Sequence, residues 1–150
     1  KIIGAEKVRF SKLYDRNQFF YSIGAEEYKV EFTKYPFKQL EEAKVFDDAR
    51  IDSELDIAVN KLITITDRFD PKDFVDLYFL LQVYPLNKLQ GGVLSKFNTK
   101  LDTLTIGSSM AKVRNIEALP KMVKKLSIDE LREFFNSEAK KLSSLVMSGI

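Results

Sequence analysis

The chain contains no cysteine and no histidine. Without cysteine there is no disulfide framework and no thiolate nucleophile. Without histidine there is no Ser–His triad, no imidazole general base and no imidazole metal ligand. Any chemistry must use carboxylates, Lys, Arg, Tyr or hydroxyls. No apolar run approaches the length of a membrane span. The opening Lys1 to Glu6, K-I-I-G-A-E, has neither an initiator Met nor a signal-peptide pattern, and reads as the edge of a segment cut from a longer chain. Cytoplasm is the default compartment, and no membrane is expected.

What is present is an ordinary globular composition: 150 residues, 45% of them apolar, enough for a real core. The net charge of +2 hides an asymmetry. Residues 1–85 carry 13 basic against 16 acidic side chains, and residues 86–150 carry 11 against 6. A basic C-terminal part favours a polyanion such as RNA. Solvated helix faces account for the same excess.

Periodicity divides the chain by element type. Val8, Phe10 and Lys12 alternate with Arg9, Ser11 and Leu13, and Asp15-Arg16-Asn17 supplies turn chemistry. Gln18 to Ile23 is an aromatic-rich second strand, with Phe19-Phe20-Tyr21 read as sheet packing. Gly24-Ala25-Glu26 turns into a third strand, where Tyr28, Val30 and Phe32 face one way and Lys29, Glu31 and Thr33 the other. A short fourth strand is expected at Lys44 to Phe46 or Ala49 to Ile51, with a turn at Asp47-Asp48. An antiparallel meander is the simplest arrangement.

Helical spacing follows. Ser53 with Asp56 three residues on is an acidic variant of the capping box. Asp70 caps a second helix, with Pro71 at its first position and an apolar run from Phe74 to Val83. Leu86 to Leu101 is helical but weakened by Gly91-Gly92, and a shorter helix lies between Asp102 and Arg114. Ser127 and Glu130 form a full capping box for a long terminal helix, whose core side is Leu131, Phe134, Phe135, Ala139, Leu142 and Leu145. The class is α+β: a small antiparallel sheet in residues 1–52, then a helical bundle in residues 53–150, expected to pack as one domain.

The junction of the first two helices gathers ionisable groups. Lys61, Thr64 and Arg68 share one helix face, and Asp73 and Asp76 share a face of the next. Burying such charges is costly unless they pair or bind something. The short Phe69-Asp70-Pro71 connection predicts Lys61 within salt-bridge reach of Asp73 or Asp76. A structural ion pair satisfies that geometry as well as a functional one. Thr64 alone most often back-bonds to a helix carbonyl, and Glu31 alone is an ordinary solvated strand residue.

The segment Ile57 to Leu81 resembles the nucleotidyltransferase-like AbiEii/AbiGii toxin family. Lys61 and Arg68 match that family's Lys helix, and Pro71 its short loop. Lys72-Asp73-Phe74-Val75-Asp76-Leu77 with Leu80 matches its R-D-x-x-D-L-x-x-L helix, with Lys72 in place of Arg. An acidic strand residue (Glu31) before these helices and a basic helical tail with a Leu119-Pro120 step keep the family's order. The family's opening Gly-rich turn and Asp-x-Asp strand have no match in this sequence.

The resemblance implies a C-terminal portion of a nucleotidyltransferase. Its chemistry would be transfer of a nucleotide from an NTP to an acceptor, an RNA such as tRNA, with Mg²⁺ held by carboxylates. Glu31 would be the third carboxylate and a metal ligand. Lys61, with Thr64 and Arg68, would contact the nucleotide, and Asp73 and Asp76 would orient Lys61 or Arg68. A cognate antitoxin would be a partner. Read without the resemblance, the same residues fit a non-catalytic helical domain that binds RNA or a protein. The isolated chain is expected to be inactive.

Overall fold

A computed structural model describes residues 8–148. The fold is α+β, with a three-stranded antiparallel sheet followed by five α-helices. The chain forms two compact units that part between Phe37 and Lys38. That division differs from the change of element type at 52/53.

The first unit is a meander of β1 (Val8–Leu13), β2 (Arg16–Ile23) and β3 (Glu26–Thr33), in that order across the sheet. Both hairpins have two-residue loops, since Leu13 pairs with Arg16 and Ile23 with Glu26. The first turn is therefore Tyr14-Asp15 rather than Asp15-Arg16-Asn17, and Arg16 already belongs to the ladder. Each loop begins with a positive φ, at Tyr14 and at Gly24. Only the glycine adopts it without steric cost. The register stacks Val8, Tyr21 and Tyr28 in one cross-strand row and Phe10, Phe19 and Val30 in the next. Phe10 and Phe19 lie 5.1 Å apart, and Tyr21 stacks on Tyr28 at 5.4 Å. Phe20 points to the opposite side, under the Arg9 guanidinium. The period-two pattern thus concentrates most of the aromatics on one face.

The second unit opens with a two-stranded hairpin, β4 (Lys44–Phe46) paired with β5 (Ala49–Ile51) around Asp47-Asp48. Both expected positions for a fourth strand are strands, but they pair with each other rather than extend the meander. The helices are α1 (Glu54–Asp67), α2 (Pro71–Leu81), α3 (Leu86–Phe97), α4 (Thr103–Met110) and α5 (Ile128–Met147). A 3₁₀ segment, Ala111–Asn115, extends α4. Each predicted cap forms: Ser53 accepts from the Asp56 N–H, Asp70 from Lys72, and Ser127 and Glu130 close the reciprocal box.

The core of this unit is one apolar cluster. Leu55, Ala58, Val59, Leu62 and Ile65 of α1 pack with Phe74 and Leu77 of α2, Leu89 and Val93 of α3, and Leu131 and Phe135 of α5. Phe74 meets Phe135 edge-to-face at 5.3 Å. Two apolar expectations are corrected. Helix α2 ends at Leu81, and Val83 is exposed, because the last backbone donors turn back to Phe79 and Leu80 ahead of Pro85. Leu145 is exposed too, since the buried stripe of α5 stops at Leu142. Gly92 has a packing role: a Cβ there would overlap Val59 Cγ2 and sit 3.2 Å from Leu40 Cδ1. Its neighbour Gly91 faces open space. No helix among the described residues is long and apolar enough to cross a membrane.

Candidate functional site

The α1–α2 corner brings the predicted cations and carboxylates together. Lys61 projects from α1 toward the first turns of α2. Its Nζ donates to Asp73 Oδ1 at 2.7 Å and lies 2.7 Å from Asp76 Oδ2. The i, i+3 spacing of the two aspartates sets them side by side, so one ammonium bridges both. Arg68, the residue that ends α1, turns its guanidinium onto the other Asp73 oxygen, with Nε at 3.0 Å and Nη2 at 2.9 Å. The Asp73 side chain is 2% exposed and that of Asp76 50%. Asp73 also occupies the first turn of α2, where the helix dipole favours a negative charge. Burial pushes the Lys61 ammonium toward deprotonation, but Asp73 and Asp76 outweigh it and raise its pKa above the ordinary lysine value. Lys61 therefore stays charged.

Thr64 is on the same helix, but its hydroxyl donates to the Asn60 carbonyl at 2.6 Å, an intrahelical bond. Glu31 belongs to the sheet unit. Its carboxylate accepts from Gln18 Nε2 at 2.7 Å across the β2–β3 ladder and lies near Lys29 and Arg16, at 3.4 and 3.5 Å. The Gln18 amide and these two cations lower its pKa. A carboxylate engaged by two cations does not fit a Mg²⁺ ligand in this arrangement, and among the described residues no three carboxylates gather as a metal site.

A second charged constellation has no counterpart in the sequence reading. Asp56 and Lys96 form an ion pair at 2.6 Å with both side chains fully buried. Asp56 also accepts from the Ser53 hydroxyl and from the backbone N–H groups of Leu40 and Glu41. Burial opposes its ionisation. The Lys96 ammonium, the Ser53 hydroxyl and the two backbone donors overcome that and hold its carboxyl at about 2. The signal in the sequence was Lys96 itself, which continues the Leu89, Val93 stripe at i+7 and so falls on the buried face of α3.

Beside the corner, a cleft of about 580 Å³ opens between α1, α2 and the irregular segment 120–124. Ile57, Val75, Phe79 and Met122 line it together with Lys72 and Asp76. Compared with protein-family models, curated proteins and solved structures, the chain matches none.

Proposed function

We propose that the chain is the C-terminal portion of a nucleotidyltransferase-like toxin that transfers a nucleotide from an NTP to an RNA acceptor such as tRNA. The observation that carries this reading is Lys61: an ammonium kept charged and aimed by two carboxylates, at the helix corner where the family resemblance is strongest. In this reading Lys61 contacts the triphosphate as a point charge that strengthens as pyrophosphate leaves. Asp73, buried between Lys61 and Arg68, positions both cations, and Asp76 holds Lys61 from its solvent side. Thr64 lies one turn further along α1 and would need to release Asn60 to reach a ligand. The basic tail would hold the acceptor, a cognate antitoxin would be the regulatory partner, and the compartment would be the cytoplasm.

When bound, Mg²⁺ would activate the attacking hydroxyl and stabilise the departing pyrophosphate. The described residues do not fit that role. Glu31 would have to exchange Arg16 and Lys29 for a metal ion. In this reading the Asp-x-Asp carboxylates would come from a longer parent protein, and this chain alone should not incorporate NTP into tRNA.

A specific observation favours the second reading, a non-catalytic interaction domain: every charge of the cluster is already paired within it. Lys61→Ala in the parent protein separates the two. Under the enzymatic reading transfer should lose about 2–4 kcal/mol of transition-state stabilisation. Melting should stay near native, because Asp73 keeps Arg68. Under the structural reading the loss falls on stability, approaching the roughly 3–5 kcal/mol of a broken buried pair. A large fall in melting temperature, with transfer retained by the folded fraction, would reject the catalytic role.

A further inference from the structure

The cleft beside the corner has a chemistry that the Lys61 cluster does not use. Its walls are aliphatic side chains from three elements: Ile57 of α1, Val75 and Leu80 of α2, and Met122 and Val123 of the segment before α5. Val123 is fully exposed. Three ammonium groups, Lys72, Lys121 and Lys124, line the same cleft. Among the described residues none of the three forms an ion pair. The two carboxylates present are both engaged: Asp76 with Lys61, and Glu54 as acceptor from the Tyr84 hydroxyl at 3.4 Å. An apolar trough lined by ammonium groups that have no carboxylate partner is complementary to a ligand that is apolar on one side and acidic on the other.

Nucleic acid satisfies the charge but not the lining. The cleft's one aromatic ring, Phe79, has Lys124 Nζ over it at 4.9 Å and Tyr78 against it, edge-to-face, at 5.1 Å. It is not an open stacking platform for a base. The cleft also holds no arginine, the residue whose fork matches phosphate bidentately. Aliphatic walls instead fit Leu, Ile or Met side chains.

We propose that this cleft receives an acidic, amphipathic peptide segment of a protein partner, with its apolar side chains against Ile57, Val75 and Met122 and its carboxylates on Lys72, Lys121 and Lys124. The segment binds as a helix laid in a groove, with anchors at i, i+3 or i+4, and i+7. This assignment stands independently of the nucleotidyl-transfer reading. Asp76 belongs to both sites, so an occupied cleft touches the carboxylate that holds Lys61.

The test is fluorescence anisotropy with the whole chain and a labelled helical peptide of about 14 residues, with Leu at the anchor positions and Glu elsewhere. The comparison ligands are the same peptide with Lys for Glu, and an oligouridylate of equal length. The variants are Val123→Asp and the double reversal Lys121→Glu, Lys124→Glu. All three substituted side chains are exposed, and circular dichroism verifies folding. The acidic peptide is expected to bind the parent chain in roughly the 10–100 μM range. Each variant should weaken it by about tenfold at low salt, and the basic peptide should gain affinity for the reversed variant. The proposal is overturned by no binding of the acidic peptide near 1 mM or by equal binding of the acidic and basic peptides. Binding that ignores both variants overturns it as well. Tighter oligouridylate binding that the same substitutions abolish would assign the cleft to RNA instead.

Discussion

Adjacent glycines in α3 should respond to alanine with opposite signs. Gly91 and Gly92 both occupy helix-interior positions, so alanine at either gains the same backbone term, about 0.5–1 kcal/mol. At Gly91 nothing lies within reach of a new Cβ, and that gain stands alone. At Gly92 the methyl overlaps Val59 Cγ2, with Leu40 Cδ1 at 3.2 Å behind it. Val59 cannot swing aside cheaply, because a β-branched side chain in a helix has one strongly preferred χ1. It is also fully buried, so α1 and α3 must separate instead. Overpacking of this kind costs about 1–3 kcal/mol. The shared propensity term cancels when the two variants are compared, so their difference isolates the clash. Urea unfolding followed at 222 nm reads the helical unit, since every α-helix among the described residues lies within it. Gly91→Ala should raise the midpoint and Gly92→Ala lower it. Adding Val59→Ala to Gly92→Ala should cost less than the sum of the separate changes, because the new methyl fills part of the space that Val59 vacates. Equal shifts at 91 and 92, or strict additivity with Val59→Ala, would refute the close approach of the two helices.

The buried pair and the terminal cap give two further expectations. Asp56 is held at about 2, below its ordinary 3.8, so its contribution is complete above about pH 4 and is lost as pH falls through 2. The contribution is on the order of 2 kcal/mol, and acid titration of Asp56→Asn should lack that component of the parent's unfolding. Lys96→Met leaves Asp56 buried without its cation and should cost about 3–5 kcal/mol in urea unfolding, with a native-like midpoint refuting the pair's role. Ser127→Ala removes the hydroxyl that accepts from the Glu130 N–H and should cost about 1 kcal/mol, read as a lower melting temperature with increased amide exchange in the first turn of α5.

The local elements were legible because their signals are local. Alternation in Val8–Leu13 and Glu26–Thr33, the Ser53, Asp70 and Ser127 caps, and Pro71 at a helix start each depend on residues within a turn or a pleat of one another. The Lys61–Asp73–Asp76 contact was legible for the same reason, since a three-residue connection between capped helices leaves little freedom in where the facing side chains meet. Hairpin turns were less so: Asp15-Arg16-Asn17 has turn chemistry, yet the ladder register gives the loop to Tyr14-Asp15.

By itself, then, the sequence determined the α+β class, the element order and which residues meet at the α1–α2 corner. Tertiary structure alone decided what depends on contacts distant along the chain. It paired β4 with β5 instead of extending the meander, and placed Lys96 on Asp56 forty residues away. It also turned Gly92 from a weak point of a helix into the place where α1 and α3 touch. Those outcomes follow from which buried surfaces find each other, and a periodicity read along one strand of sequence carries no information about the partner on the other side.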